Sequence, residues 1–144
     1  MTATEINLQT LHASCVAFNG RAVLILGPSG TGKSALALDL MSRGGSLIAD
    51  DQVILTRRDD ALIASCPKPL TGRIEARGVG VLAAQSGGPA AVRLVVDLAK
   101  DSPARMPQKQ ALALLGCEID LINGGGLANL APVIHLILTG ALLN

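Results

Sequence analysis

Gly27-Pro28-Ser29-Gly30-Thr31-Gly32-Lys33-Ser34 satisfies G-x-x-x-x-G-K-[ST] at every fixed position. These residue types set the chemistry. Glycines let a backbone turn its N–H groups inward around phosphate oxygens. A helix beginning at the end of such a loop adds the partial positive charge of its N-terminus. Lys33 is placed to reach the β- and γ-phosphates, and the Ser34 hydroxyl is a ligand for Mg²⁺. The motif points to a nucleoside triphosphate without saying what receives the phosphate.

Further along lie the adjacent acids Asp50 and Asp51. In an open α/β sheet, ligands bind at the carboxyl ends of strands. One acid there is suited to hold Mg²⁺, directly or through water. The other is suited to act as general base on a hydroxyl nucleophile. The plainer alternative is a turn-forming pair. His12, upstream, is either an ordinary surface histidine or a hydrogen-bond partner of a catalytic carboxylate. The segment Gly72-Arg73-Ile74-Glu75-Ala76-Arg77-Gly78-Val79-Gly80 packs three charges between glycines. Glu75 is a candidate second Mg²⁺ ligand, and Arg73 and Arg77 are candidate phosphate contacts. Otherwise the segment is a solvated loop whose charges pair with one another.

The elements that must position these groups are legible in outline. Ala22–Leu26 (AVLIL) is a continuous apolar run before the glycine loop, as in a strand buried on both faces. Lys33–Arg43 has helical spacing, with Leu36, Leu40 and Met41 near one face, and Gly44-Gly45 stops it. Ala13–Phe18 reads as a strand that turns back at Asn19-Gly20. Ser46–Ala49 is a short strand ending at the acid pair. Val53–Thr56 and Ala61–Ser65 flank a charged turn, Arg57 to Asp60. Pro67–Gly80 is broken by proline and glycine and reads as loop. Val92–Leu98 is a strand, Lys100–Gln110 a mobile surface loop, and Glu118–Ile122 a strand. Gly124–Gly126 is a flexible turn, and Leu130–Leu142 a last helix.

Composition narrows the function. The 144 residues suit one domain, with 49% hydrophobic and 16% charged, so the chain is not disordered. Twelve basic and eleven acidic residues nearly cancel, leaving +1, and no basic footprint for nucleic acid exists. Phe18 is the only aromatic residue, which excludes a base-stacking platform. Cys15, Cys66 and Cys117 form no CxxC pair, and reduced thiols in a cytoplasmic protein are expected. The N-terminus lacks a basic n-region and an apolar h-region, so no signal peptide is read. The apolar tail from Leu127 to Leu143 is interrupted by Asn129, Pro132, His135 and Thr139. A buried helix or a subunit contact suits it better than a membrane span.

LHASCVAFNGRAVLILGPSGTGKSALALDLMSRGGSLIADD followed by GRIEARGVGVL resembles the catalytic domain of the bacterial HPr kinase/phosphorylase. A glycine loop alone is common to many families. Its combination with the upstream histidine, LIADD and the IExRGxG segment is more specific. The resemblance implies phosphorylation of a serine on HPr, the small phosphocarrier of the sugar phosphotransferase system. It also implies removal of that phosphate by inorganic phosphate, with release of pyrophosphate. Carried onto this sequence, it makes Asp50 the catalytic base and His12 its hydrogen-bond partner. Asp51 then lies beside them, and Ser34 and Glu75 take the Mg²⁺ positions. ATP and Mg²⁺ are the implied cofactors, and the family's hexamer implies an oligomer. Departures are visible. Pro28 stands where an acidic residue is common. About ten residues precede Leu11, where the long form has a further domain. Asn123-Gly124-Gly125-Gly126-Leu127-Ala128-Asn129 stands where an arginine-rich turn is usual. The expected architecture is one α/β phosphate-loop nucleotide-binding domain over residues 1–144, with a mostly β central sheet flanked by helices. The expected activity is a Mg²⁺-dependent serine kinase acting on an HPr-like carrier. The rivals are a small-molecule kinase and a non-catalytic nucleotide-binding regulator.

Overall fold

A computed structural model describes residues 7–102 and 104–140. Readings of the first six residues, of Pro103 and of the chain beyond Gly140 lie outside the described residues. Eleven strands and two α-helices follow one another in the described residues. The first strands are β1 (Leu8–His12), β2 (Ser14–Phe18) and β3 (Arg21–Leu26). The glycine loop leads from β3 into α1 (Lys33–Ser42). Then come β4 (Ser46–Ala49), β5 (Gln52–Arg58), β6 (Ala61–Ser65), β7 (Arg73–Ala76) and β8 (Gly80–Ala83). The chain closes with β9 (Ala90–Asp101), β10 (Gln110–Leu114), β11 (Cys117–Gly125) and α2 (Leu130–Leu138).

Nine strands form one mixed sheet along the path β1-β5-β6-β9-β3-β2-β4, with β11 joined to β9 and β10 to β11. The phosphate-loop strand β3 is central, parallel to β9 and antiparallel to β2. Strand alternation explains two cores. Val16 and Phe18 of β2 and Val23 and Ile25 of β3 join Ala37 and Leu40 of α1 and Ile134 and Leu138 of α2. Cys15, Ala17, Ala22 and Leu24, one residue out of phase, join Val53, Leu55, Leu62, Ala64 and Ile119 in a cluster built from strands. Both helices therefore belong to one face. The expected mostly β central sheet flanked by helices is present, with both helices on one face.

Helix α1 ends as its sequence predicts. Gly44 has φ of 100°, and its N–H donates to Met41 O. The N–H of Gly45 donates back to Leu40 O, which completes a Schellman cap. A Cβ on Gly45 would stand 2.5 Å from Val16, so only glycine lets the chain pass there into β4. That passage delivers Asp50 to the end of β4.

Several sequence readings need correction. Pro67–Gly80 is not simply loop, because β7 and β8 pair as a hairpin of their own from Arg73↔Ala83 to Ala76↔Gly80. The glycines that suggested a loop serve its bends: Gly72 and Gly78 have φ of 71° and 84°. β9 runs on to Asp101, so Lys100–Gln110 is strand at both ends. Gly124 and Gly125 complete β11 rather than forming a free turn. No helix among the described residues is long and apolar enough to cross a membrane.

Candidate functional site

The loop between β3 and α1 is held in the left-handed region at Gly27, Gly30 and Gly32, with φ of 146°, 87° and 98°. Gly27 must be glycine for a second reason. A Cβ there would lie 2.6 Å from the Thr31 hydroxyl oxygen. That hydroxyl donates to Pro28 O at 2.7 Å and fixes the bend. Gly32 caps α1, which starts at Lys33 with no side-chain cap and no acid in its first turn. The helix N-terminus is thus left to an external acceptor. The Lys33 ammonium is buried and donates to Gly27 O at 2.6 Å and Pro28 O at 3.1 Å. Of the predicted cradle, Gly27 to Gly32 thus form the loop, and Lys33 and Ser34 open α1 at its end.

Asp50 is buried against that loop at 7% exposure. Ser34 Oγ donates to it at 2.9 Å, Ser14 Oγ at 2.6 Å and the Glu75 main-chain N–H at 3.2 Å. Three elements far apart in sequence meet on this carboxylate: β2, α1 and β7. Ile74, 1% exposed, anchors β7 in the helix-covered core and so places the Glu75 backbone. The Glu75 side chain is exposed, and its link to Asp50 runs through the main chain.

Asp51 points elsewhere. Its backbone is left-handed with φ of 77°, a conformation aspartate tolerates better than most residues. Its side chain is 62% exposed and lies 3.1 Å from His12 Nδ1. His12 Nε2 in turn stands 3.5 Å from Ser29 Oγ on the glycine loop. This arrangement corrects the sequence reading, in which His12 bonded Asp50. The reason is the sheet: β1 pairs antiparallel with β5, and His12 falls opposite Gln52, beside Asp51. Asp50 faces inward and is out of reach.

The site also uses a residue that the sequence reading passed over. Ser14 is 0% exposed and gives Asp50 its shortest hydrogen bond. The signal was a hydroxyl opening a strand buried on both faces, since buried polar groups find partners. Arg73 and Arg77 stay at the surface of the hairpin. Cys15, fully buried at the next position of β2, has its thiol pushed up from the ordinary range by burial.

These groups can bind an anion at a helix N-terminus and present two unlike carboxylates to it. The chemistry of the donors also bears on a metal. Among the described residues no three His, Cys, Asp or Glu side chains gather into a metal cage. What is present is one hydroxyl and one buried carboxylate at hydrogen-bond distance. Such a sparse, all-oxygen pair fits Mg²⁺, which keeps waters and shares substrate phosphates rather than sitting in a protein cage.

Comparison with known proteins agrees with this geometry. Residues 5–101 match the family model described as HPr Serine kinase C-terminal domain. An HPr kinase/phosphorylase of Clostridium botulinum is 46% identical over 72 residues, covering 50% of this chain and 24% of the relative. One from Cupriavidus necator is 38% identical over 126 residues, covering 79% of this chain and 39% of the relative. The chain thus spans between a quarter and two-fifths of the length of these relatives. The solved structure of the Hpr(Ser) kinase/phosphatase from Coxiella burnetii superposes with a TM-score of 0.74 at 29% identity. That match covers 91% of this chain and 88% of the other. The glycine loop, the acid pair, His12 and Glu75 all fall inside the matched residues, and the chain belongs to the HPr Serine kinase C-terminal domain family.

Proposed function

We propose that this chain transfers the γ-phosphoryl group of ATP to a serine hydroxyl of an HPr-like phosphocarrier protein. One observation carries the reading: the glycine loop and an exposed Asp51–His12 pair flank the same buried Asp50–Ser34 contact. The names of the relatives agree with it.

The roles follow from access. Asp50 is buried and already accepts from Ser14, Ser34 and the Glu75 N–H. Asp51 is open to solvent, so Asp51, rather than Asp50, takes the serine proton. His12 holds that carboxylate in place through Nδ1. The deprotonated serine oxygen bonds to the γ-phosphorus as the bond from that phosphorus to the β-bridging oxygen breaks, and ADP leaves. Lys33 exchanges its loop carbonyls for phosphate oxygens and offsets the charge that develops there. Ser34 and Asp50 would hold Mg²⁺, with Glu75 at the rim, and the ion would neutralise the phosphates. In reverse, protonated Asp51 returns its proton to the leaving serine oxygen while inorganic phosphate attacks. Three free thiols and no pairing among them suit a reducing, cytoplasmic setting. We place the working form in an oligomer, as the family resemblance implies.

The test is a radiolabel transfer from γ-labelled ATP to purified HPr-type carrier with Mg²⁺. Label on a serine of the carrier that disappears with Lys33→Ala is the expected result. Label on a small molecule, or ATP binding without transfer to any acceptor, would overturn the reading.

A further inference from the structure

Three exposed side chains from three distant elements line up beside the phosphate loop: Asp51 after β4, His12 at the end of β1, and Ser29 on the loop itself. Asp51 Oδ1 lies 3.1 Å from His12 Nδ1, and Ser29 Oγ stands 3.5 Å from His12 Nε2. Burial does not hold them together, because all three face solvent. Their alignment follows from rigid mounts. Asp51 sits on a left-handed backbone, and His12 on the strand paired with β5. Ser29 follows Pro28, whose ring fixes its own φ. The Pro28 carbonyl accepts from the Thr31 N–H at 3.3 Å, the Thr31 hydroxyl at 2.7 Å and Lys33 Nζ at 3.1 Å. Three bonds thus pin the peptide unit that carries Ser29.

We propose that Ser29 is a positioning residue for phosphoryl transfer: its hydroxyl donates to His12 Nε2 and so keeps Nδ1–H turned to Asp51. The proposal rests on the reading of Asp51 as the base and names what orients that base's partner. A neutral imidazole has one N–H, and the bond made at one nitrogen decides where it sits. A carboxylate only accepts, so Asp51 requires the proton on Nδ1 and leaves Nε2 an acceptor. Ser29 is the hydroxyl placed to fill that acceptor. With the proton on Nε2 instead, a lone pair would face the carboxylate and the pairing would be lost. The ring is also half-exposed, and held at one nitrogen it would swing between rotamers. Contacts at both nitrogens stop it. The same contact ties the base to the loop. When Lys33 turns from the Pro28 carbonyl to phosphate oxygens, the peptide unit next to Ser29 loses one of its three bonds. The 3.5 Å contact is then free to shorten, as catalytic hydrogen bonds do in loaded complexes.

The chain has two histidines, so nitrogen NMR of the histidine-labelled full chain reads each ring separately. Spectra at about pH 8.5, where an ordinary imidazole is neutral, give the tautomer of each. His135, edge-on to Phe18 with ring centroids 4.9 Å apart, is the internal control. His12 should carry its proton on Nδ1 in the unaltered chain. Ser29→Ala should move it toward a mixture, Ser29→Thr should keep it, and His135 should not change. In label transfer to the carrier, Ser29→Ala should lower kcat about three- to tenfold, the worth of one neutral hydrogen bond, with KM for ATP within about twofold. Ser29→Thr should restore most of the loss. Ser29 is exposed and its backbone is not left-handed, so both side chains fit there. A His12 proton on Nε2 in the unaltered chain overturns the proposal. So does a tautomer that Ser29→Ala leaves unchanged, or a loss of kcat that threonine does not restore. A tautomer that responds to Ser29 in a chain that transfers no label would instead overturn the proposed reaction and leave the Ser29–His12 link standing.

Discussion

Asp51→Asn and Asp50→Asn should fail in different ways, and the structure sets how far each should fall. Asp51 is 62% exposed and has one partner, His12 at 3.1 Å. Exposed ion pairs contribute about 0–1 kcal/mol, so Asp51→Asn should leave the melting temperature nearly unchanged. Asparagine also tolerates the left-handed φ of 77° at this position. The lost general base should nevertheless lower kcat by about 10²–10⁴-fold, with ADP affinity retained. Asp50→Asn meets three donors that now face an amide: Ser14 Oγ, Ser34 Oγ and the Glu75 N–H. Charge-assisted bonds contribute about 1 kcal/mol more than neutral ones; the two serines keep an amide oxygen but lose its charge, and the Glu75 N–H meets the amide nitrogen, so roughly 2 kcal/mol of stability should go. For a chain of this size that is a fall of about 4–8 °C in melting temperature. The Mg²⁺ concentration for half-maximal transfer should also rise. Thermal unfolding, a Mg²⁺ titration and label transfer to the carrier read all three quantities. The role assignment is refuted if Asp51→Asn keeps more than about a tenth of kcat. It is equally refuted if Asp50→Asn cuts kcat while melting temperature and Mg²⁺ dependence stay put.

Ser14→Ala removes the fully buried donor to Asp50 and should cost about 1–3 kcal/mol, since a carboxylate oxygen loses its closest partner; Ser14→Thr should restore part of it in a chemical denaturation series. Lys33→Ala should abolish label transfer and weaken pyrophosphate binding, because the only buried cation of the loop is gone; turnover near normal would overturn the cradle. Burial raises the Cys15 thiol in the folded chain, so the unfolded chain loses that proton first and stability falls as pH rises above the unfolded thiol's value of about 8.5. From about pH 8.5 to 9.5 the unaltered chain should lose about 1 kcal/mol more than Cys15→Ala, measured by urea unfolding at each pH. Finally, forward transfer should outrun phosphorolysis. The reverse reaction gathers phosphate and phosphoserine in one place, whereas Arg73, Arg77 and Arg105 all stay at the surface, which pyrophosphate release from phosphorylated carrier will check.

What the sequence made legible was local. The buried run before the glycine loop, the loop and the helix after it sit within about twenty residues, and short-range hydrogen bonds and glycine conformation decide them. Asp50 and Asp51 were placed correctly at a strand end for the same reason. The pairing of His12 was not legible, because it depends on β1 lying against β5 some forty residues later. Leu8–His12 is mostly exposed and carries no alternating apolar pattern to announce a strand. The β7–β8 hairpin was hidden by Gly72, Gly78 and Gly80, which punctuate it so densely that turn chemistry masked strand pairing. β10, with Ala111 and Ala113 out of phase with Leu112 and Leu114, takes its place from β11 and not from its own pattern.

The two adjacent acids show why such long-range pairing matters for chemistry. Asp50 follows directly on the buried end of β4 and is held inward by Ser14, Ser34 and the Glu75 N–H. That alone would leave Asp51 pointing into solvent with no fixed direction. The left-handed backbone at Asp51 kinks the chain between β4 and β5, which run on along β2 and β1, and the pairing of β5 with β1 then sets His12 beside the carboxylate. One kink therefore separates an acid bonded to Ser34 from an acid open to solvent, the one we propose as the base. Neither can substitute for the other, because exchanging their roles would require rotating the strand. It follows that Asp51→Ala should cost more stability than Asp51→Asn. An alanine at φ of 77° carries about 1–2 kcal/mol of backbone strain that asparagine largely avoids. If the two variants melt together, the left-handed kink at Asp51 is not held by the sheet as described.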